Sequence, residues 1–277
     1  MAGRSQPSAL PAQLARLFAD GGSGHTLTVP LPAGRLVRAE DPDFSDDPVV
    51  TRPLYWRSNA PVPAGLWARL RAEHARSGLW PLLAPDGDWR LDLTFSASQF
   101  DGQDAAEVLA ELWADHYHGG GYLAPFGRAW PGLAPTGQPQ DDPGVVADAY
   151  AGWLHGDGGP HLGLVAADRG ADAPAVAGWA GSNNHASIAE LAVVVRSWEE
   201  RFGVRVVRLG DATVDLSVAA PPVTTEHALQ VAAEHCAFCP DNIWQSQTHL
   251  DDSFGPHPLR AYAERLRSQR SWSFWWD

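Results

Sequence analysis

The fold is decided by the stretch Ser187-Ile-Ala-Glu-Leu-Ala-Val-Val-Val-Arg-Ser-Trp-Glu-Glu-Arg-Phe-Gly203. Ser187 and Glu190 have the spacing of a capping box, in which each side chain satisfies a backbone N–H group of the first helical turn. Apolar residues then recur at intervals of three and four, the period of a helix with one buried face. Gly203 suits the left-handed position that ends many helices. The stretch therefore predicts a helix that packs onto a core.

A β-hairpin is predicted directly after this helix. Val204–Leu209 is an apolar run, and Thr213–Ala219 alternates apolar and polar residues, as strands with one buried face do. Gly210 and Asp211 form the short link between them. The short link favours antiparallel pairing.

The remainder of the C-terminal part reads as two helices and a last strand. Thr224 or Thr225 caps the first helix, which has an apolar stripe that includes Leu229 and Cys236. Pro258 begins the second helix. The chain finishes with Trp272-Ser-Phe-Trp-Trp-Asp277, whose alternation predicts a strand.

The N-terminal region predicts a helix, a hairpin and a second helix. The first helix starts near Pro63, and the second follows Asp104. Between them, Leu79–Leu83 and Trp89–Phe95 read as two strands joined by turn residues. Proline cannot donate to a strand ladder, so Pro81 predicts that its strand lies at a sheet edge.

These patterns predict an α+β fold with a mixed, mostly antiparallel sheet and helices packed mainly on one face. A Gly-rich joint over 156–160 marks a domain boundary. The expected organisation is a loosely ordered lead-in over residues 1–50, an N-terminal α+β region over 51–155 with the helix-hairpin-helix extension, and a C-terminal α+β domain over 161–277.

Composition restricts the partners of this chain. Its 277 residues carry a formal net charge of −13, and a strongly acidic chain repels nucleic acid and anionic lipid surfaces. No apolar run is long enough to span a bilayer, and no signal peptide is recognisable. We expect a cytoplasmic protein with its two cysteines reduced, with neither nucleic acid nor membrane as a partner.

His235, Cys236 and Cys239 are the first candidate site, because imidazole and thiolate groups are zinc ligands. Structural zinc sites usually show two ligand pairs, whereas here one pair continues an apolar helical stripe. Buried thiols that pack as small hydrophobic groups are the favoured interpretation. Histidines in Gly-rich loops, among them His155 and His161, are a weaker metal candidate. We therefore expect no metal and no cofactor.

A polar pocket near the chain end is the second candidate site. Amides and carboxylates orient a ligand but activate nothing unaided, so this set favours binding over catalysis. The alternative is that the Asp and Asn residues cap the turn after Pro240. The residues of this set are Asn183, Asn184, Asp241, Asn242, Gln245 and Asp277.

Trp275 is a separate candidate, as an anchor for a partner protein, because Trp is enriched at the centres of interfaces. In an alternating strand it faces away from Trp272, Phe274 and Trp276. The alternative is that both faces of the last strand are covered and Trp275 helps to close the sheet.

Four ordered segments resemble one bacterial family, domain of unknown function 4253. The resemblance covers the C-terminal part of the chain, and it implies no activity, since the family is named for having none established. Family members tend to carry an apolar residue where Cys236 stands, which weakens a paired cysteine site. The four segments are Gly178-Trp179 with Asn183, Arg196–Gly203, Phe238–Gln245 and Trp272–Asp277.

Two functions remain open at this point. The leading hypothesis is a non-catalytic cytoplasmic binding module for a protein or small ligand, either an adaptor or an immunity-type inhibitor. The alternative is a hydrolase or transferase, with or without a metal, whose site lies near the 241–245 loop and the C-terminus. The sequence does not decide whether the protein is an enzyme.

Overall fold

The computed structural model describes residues 8–38, 53–92, 102–115, 123–156, 158–243 and 257–277. Across these residues a seven-stranded sheet forms the centre of the molecule, and a two-stranded sheet lies beside it. The small sheet consists of β1 (Ser8–Ala9) and β2 (Thr26–Leu27). The large sheet consists of β3 (Gly34–Val37), β4 (Tyr55–Ser58), β5 (Leu79–Ala84), β6 (His161–Ala166), β7 (Arg205–Leu209), β8 (Thr213–Ser217) and β9 (Ser271–Trp275).

The helices of the described residues surround the large sheet. None of them combines the length and the apolarity that a bilayer crossing requires. A 3-10 turn spans Gly170–Asp172. The helices are α1 (Ala12–Ala15), α2 (Leu66–Ala72), α3 (His74–Ser77), α4 (Ala105–Asp115), α5 (Pro143–His155), α6 (Ala173–Val176), α7 (Ile188–Phe202), α8 (Thr225–Phe238) and α9 (Pro258–Leu266).

The large sheet is mixed and mostly antiparallel, as the sequence predicts. Its strand order is β3-β4-β6-β5-β7-β8-β9. Neighbouring strands are antiparallel except β5 and β7, which run parallel. The predicted β7–β8 hairpin is confirmed, with a register shift between Val206 and Arg208. Strands from both sides of the Gly-rich joint thus share one sheet.

The position of β5 differs from the prediction. Pro81 predicted an edge strand, but β5 lies between β6 and β7 and is buried along its whole length. Its predicted hairpin partner was Trp89–Phe95; in the structure Leu91 forms an isolated bridge with Trp179 instead, and residues 93–95 lie outside the described residues. The flanking helices are present as α2 and α4, whereas the described residues do not form the predicted helix-hairpin-helix unit.

Indole N–H groups explain how a proline-containing strand fits at the centre. The parallel pairing of β5 with β7 is limited to Leu83 and Arg208. Beside it, Trp80 Nε1 donates to the carbonyl of Val206 at 3.0 Å, and Trp89 Nε1 donates to that of Leu209 at 3.0 Å. Buried carbonyl groups need a donor. Tryptophan side chains thus supply part of the bonding that the short ladder leaves out.

Helices cover both faces of the sheet, whereas the sequence predicted one main helical face. Alternate residues of β5 point to opposite sides, so Trp80 and Leu82 join the larger core and Leu79 and Leu83 join the smaller one. The larger core contains residues of α4, α7, α8 and α9. The smaller core contains residues of α1, α2 and α5.

Helix α7 confirms the local prediction from its sequence. The Ser187–Glu190 capping box is formed, and Gly203 adopts the left-handed conformation with φ of 62°. Its residue Trp198 is fully buried against the rings of Phe238 and Phe274. The helix therefore connects α8 to the last strand through aromatic packing.

A buried carboxylate that the sequence analysis did not single out joins three segments. Glu234 of α8 is fully buried and accepts hydrogen bonds from both terminal nitrogens of Arg201, at 2.8 and 2.6 Å. Trp198 Nε1 and the Ala134 backbone N–H donate to the same carboxylate. A buried charge requires such partners, because its desolvation costs several kcal/mol. The network fixes the segment around Ala134 against α7 and α8.

Residues 8–38, which fall within the predicted lead-in, pack against the rest of the described chain. Leu14 is fully buried in the smaller core, and β3 pairs with β4 over four residue pairs. Thr28 also donates its backbone N–H to Glu73, at the end of α2. Residues 39–50 lie outside the described part of the chain, so this observation concerns residues 8–38.

We expect a fragment spanning residues 161–277 to lack a stable native state. It contains β6, β7, β8 and β9 but not β5, the strand that joins β6 to β7. The inner strands would expose both their apolar faces and their unpaired backbone groups. Circular dichroism during urea unfolding should show a cooperative transition for the full chain and none for the fragment. A fragment with dispersed amide NMR signals and cooperative unfolding would contradict this expectation.

Candidate functional site

The last strand, β9, confirms the predicted alternation of its residues. Trp272, Phe274 and Trp276 are buried in the larger core, whereas Ser273 is exposed and Trp275 is partly buried. β9 pairs with β8 at the edge of the sheet. The use of Trp275 as an interface anchor stays a prediction.

Asn242 is engaged within the protein. Its Nδ2 donates to the carbonyl of Ser273 at 2.8 Å and to the hydroxyl of Tyr262 at 3.2 Å. Its Oδ1 accepts the backbone N–H of Trp275 at 3.3 Å. The thiol of Cys239 contacts the carbonyl of Trp275 at 3.0 Å. This amide therefore binds the edge of β9 that is not paired with β8, where no strand of the described residues supplies ladder partners.

Asp241 performs the equivalent role one residue earlier. Its Oδ2 accepts the backbone N–H of Asp277 at 3.1 Å and lies 3.0 Å from His185 Nε2. Asn184 Nδ2 donates to the carbonyl of Asp277 at 2.8 Å. Of the residues in the predicted polar pocket, the structure thus brings Asn184, Asp241 and Asp277 together, and it adds His185, which the sequence analysis did not identify. Their common effect is to fix the end of the chain.

The other members of the predicted polar pocket are placed differently. Asn183 is exposed and donates to the carboxylate of Asp92 at 2.7 Å. Gln245 lies outside the described residues. The predicted set is therefore only partly assembled by the residues that the structure describes.

The cysteines lie in the core, as the favoured interpretation expects. Cys236 and Cys239 are free thiols and are buried. Burial raises the pKa of Cys236 to about 12, and burial also raises the pKa of Cys239. A thiolate is the metal-binding form, and burial disfavours it. The described residues contain no group of three or more ligand side chains placed to hold a metal ion.

His235 lies in an aromatic cage beside these cysteines. The ring centroids of Trp198, Trp272 and Phe274 lie 4.4–5.1 Å from that of the imidazole, and the imidazole Nδ1 is 3.1 Å from the Tyr262 hydroxyl. Burial lowers the pKa of His235 to about 3. The imidazole is therefore neutral at physiological pH and serves as a core residue.

A cleft of about 780 Å³ is lined by residues of the strands β5, β6, β7 and β8. It forms where the parallel strands β5 and β7 reach their carboxyl ends, at Ala84 and Leu209. In open sheets with parallel strands, ligands commonly bind beyond these carboxyl ends. The volume falls within the usual range for small-molecule sites. Its polar lining includes Asn59, Asp86, His155, His161, Arg208 and Thr213.

Side chains of this cleft are held by protein partners. His161 Nδ1 lies 3.0 Å from both Arg57 Nη1 and the Ser58 carbonyl. His155 Nε2 contacts the carbonyl of Val62 at 2.7 Å. Arg208 donates its Nε to Asp215 at 2.5 Å. Such partners fix side-chain orientation before a ligand arrives.

Part of this cleft was visible in the sequence. His155 and His161 flank the Gly-rich joint, but that joint was interpreted as a domain boundary and the histidines as weak metal ligands. Arg57 and Arg208 were not identified, because no local pattern connects residues so distant in the chain. A charged residue in an apolar strand, such as Arg208 in β7, was the available signal.

We expect Asn242→Ala to reduce the free energy of unfolding by about 2–3 kcal/mol, because it removes buried hydrogen bonds to β9 and α9. Asn183→Ala is the matched control, since its exposed amide bonds Asp92, and should cost less than about 0.5 kcal/mol. Urea unfolding monitored by tryptophan fluorescence measures both values. Equal losses for the two variants would contradict the assigned role of Asn242.

His235 should make the protein less stable in acid. An unfolded histidine titrates near pH ~6.5, whereas the pKa of His235 in the folded state is about 3. Between these values the unfolded state binds the additional proton, so this residue lowers stability as pH falls. The contribution is up to about 1.4 kcal/mol per pH unit.

The corresponding test compares urea unfolding of the native protein and His235→Leu between pH 7 and pH 4. We expect the variant's stability to fall less steeply with acid, whatever its stability at pH 7. Parallel curves for the two proteins would show that the folded state tolerates the imidazolium, against the burial argument.

Comparisons with known proteins place only the C-terminal part of this chain. No curated protein and no solved structure matches the chain. The part of the chain that matches a family model contains Asp241, Asn242, β9 and the cleft strands β6, β7 and β8. β5, Arg57 and His155 lie outside that part. Residues 161–277 match the model of the family described as Domain of unknown function (DUF4253), the family that the C-terminal sequence resembles.

Proposed function

We propose that this protein is a non-catalytic binding protein whose ligand is a small polar molecule bound in the cleft at the carboxyl ends of β5 and β7. One observation carries the proposal: a cleft of about 780 Å³ is lined by polar side chains that buried protein groups already orient. Pre-oriented groups reduce the entropy lost on binding.

The chemistry of the lining favours binding over catalysis. A general base needs a nitrogen free to take a proton from the substrate. His161 Nδ1 already contacts Arg57 and Ser58, and its Nε2 faces the Asp86 carboxylate at 3.5 Å, an acceptor that favours an N–H donor rather than a base at that nitrogen. His155 Nε2 is occupied by the Val62 carbonyl. These rings can position a ligand, which is the usual task of a few polar groups in an otherwise apolar site.

The alternative, a hydrolase or transferase near residues 241–245 and the C-terminus, receives less support. Among the residues described there, the 3.0 Å contact between Asp241 and His185 is the feature that resembles an acid–base pair. However, Asp241 and Asn242 also hold the backbone of Asp277 and Trp275. Structural contacts of this kind account for the two side chains without a reaction.

The binding role is proposed for the bacterial cytoplasm. Both cysteines of the chain are free thiols, which fits a reducing compartment. The net charge of −13 disfavours nucleic acid as the ligand. If the protein is an adaptor or an immunity-type inhibitor, its binding to a partner would depend on whether the cleft holds the ligand.

A blocked cleft tests this proposal. Gly158 lines the cleft, and a Cβ atom built there meets no atom within 4 Å, so Gly158→Trp should fill the site without disturbing the fold. Gly152 of α5 has the same open surroundings but does not line the cleft, which makes Gly152→Trp the matched control. Ligand-observed NMR would screen each protein against amino acids, sugars, nucleotides and organic acids.

We expect at least one compound to bind the native protein and Gly152→Trp but not Gly158→Trp. The physical reason is steric, since an indole would occupy the volume that the ligand needs. The proposal fails if no compound binds, or if every compound that binds is retained by Gly158→Trp.

A further inference from the structure

The cleft holds an arginine in an arrangement that strand geometry alone does not require. Val206 and Leu209 belong to the larger core and Val207 to the smaller one. Regular alternation would place Arg208 on the side of Val206. The register shift between these two residues instead turns Arg208 toward Asp215 of β8. Such bulges often re-aim a side chain beside a functional site.

Asp215 is a buried support for this arginine. It is 2 % exposed and accepts Arg208 Nε on one oxygen and the Tyr150 hydroxyl on the other, at 2.5 and 3.1 Å. Burial and the Asp215 charge raise the pKa of Tyr150, which therefore remains a protonated donor. Nε is one of five guanidinium donors, and the terminal nitrogens carry the other four. The support fixes the plane of a side chain that lines the cleft and is 38 % exposed.

His161 faces the same cleft from the start of β6. Arg57, itself buried, lies at 3.0 Å from Nδ1, so Nε2 is the nitrogen on the side of Asp86. The Asp86 carboxylate lies 3.5 Å from that nitrogen, and its side chain is fully exposed. An acid group from this chain thus already lies against His161, on a side chain that solvent surrounds and a ligand can displace.

From these contacts we infer that the cleft recognises an acid group of a small molecule, a carboxylate or a phosphate, through Arg208 and His161, with Asp86 as a displaceable internal competitor. Guanidinium groups match the geometry of such oxygens, and charge-assisted bonds are the stronger class of hydrogen bond. This inference rests on the proposed binding function and specifies the chemistry of its ligand.

Titration of the full chain with inorganic phosphate and, separately, with acetate tests the inference. The readout is the set of His161 and arginine side-chain ¹⁵N signals at constant pH, with sodium chloride at equal ionic strength as the salt control. We expect saturable shifts of His161 and Arg208 with at least one of the two anions and none with chloride. The two arms distinguish a phosphate ligand from a carboxylate ligand.

Substitutions give opposite expectations for the two charged residues of the cleft. Arg208→Gln should weaken anion binding about tenfold, because a charged hydrogen-bond donor is lost. Asp86→Asn should strengthen it about two- to fivefold, since it removes an exposed competing carboxylate. Arg270→Gln is the matched control, as Arg270 is similarly exposed, pairs with Asp141 and lies outside the cleft lining.

Arg208→Gln leaves Asp215 buried without its cation, which is destabilising. The double variant Arg208→Gln, Asp215→Asn removes both charges and allows the same titration if the single variant does not fold. Asp86 is exposed, so Asp86→Asn should fold in any case and provides the second measurement.

The inference is overturned if neither anion shifts the two residues, or if Asp86→Asn leaves binding unchanged or weaker. The NMR screen of small molecules distinguishes the two proposals. If it finds a cleft ligand without an acid group and neither anion binds, the proposed binding function is supported and only the assignment of an acid group is wrong. If no compound of the screen and neither anion binds, both the proposed binding function and the acid-group assignment are wrong.

Discussion

Burial of β5 on both faces and along both edges is the constraint on which this structure depends. The strand comes from the N-terminal region but lies between β6 and β7, two strands of the part of the chain that matches the family model. Its parallel edge has a single ladder pair, and indole N–H groups of Trp80 and Trp89 supply further bonds to β7. Each indole also adds a large apolar surface to the core. Tryptophan is suited to this position because one side chain supplies both a hydrogen-bond donor and a large apolar surface.

The same strand produces the cleft. Since β5 and β7 run parallel, their carboxyl ends lie at the same end of the sheet, and residues at both ends line the cleft. His161 enters this space because β6 is antiparallel to β5 and begins where β5 ends. The polar groups of the candidate site are therefore placed by strand direction. The contacts of Asp241 and Asn242 are separate from the cleft. Their side chains bond backbone groups of β9 and of Asp277, at an edge of the sheet.

Local signals in the sequence predicted the elements whose causes are local. The capping box of α7, the β7–β8 hairpin and the alternation of β9 each depend on residues a few positions apart. The location of β5 could not be predicted in this way, because the missing N–H group of Pro81 favours an edge strand, whereas the indole N–H groups of Trp80 and Trp89 bond carbonyl groups of β7 that are more than a hundred residues away. The candidate site divides similarly. Asp241 and Asp277 were grouped from their polarity near the chain end, whereas Arg57, His161 and Arg208 are brought together only by the completed sheet.

The central place of β5 also affects how the chain is made. A ribosome releases β5 some eighty residues before β6, its antiparallel partner, and still longer before β7. Until then, the apolar side chains of β5 lack the strands that bury them in the folded protein. Contacts between residues so far apart in the sequence form slowly. Helix α2 packs on β5 and is synthesised just before it, so it can shield one face during this interval. Production of this protein should therefore depend on the pace of translation and on chaperones more than its final stability would indicate.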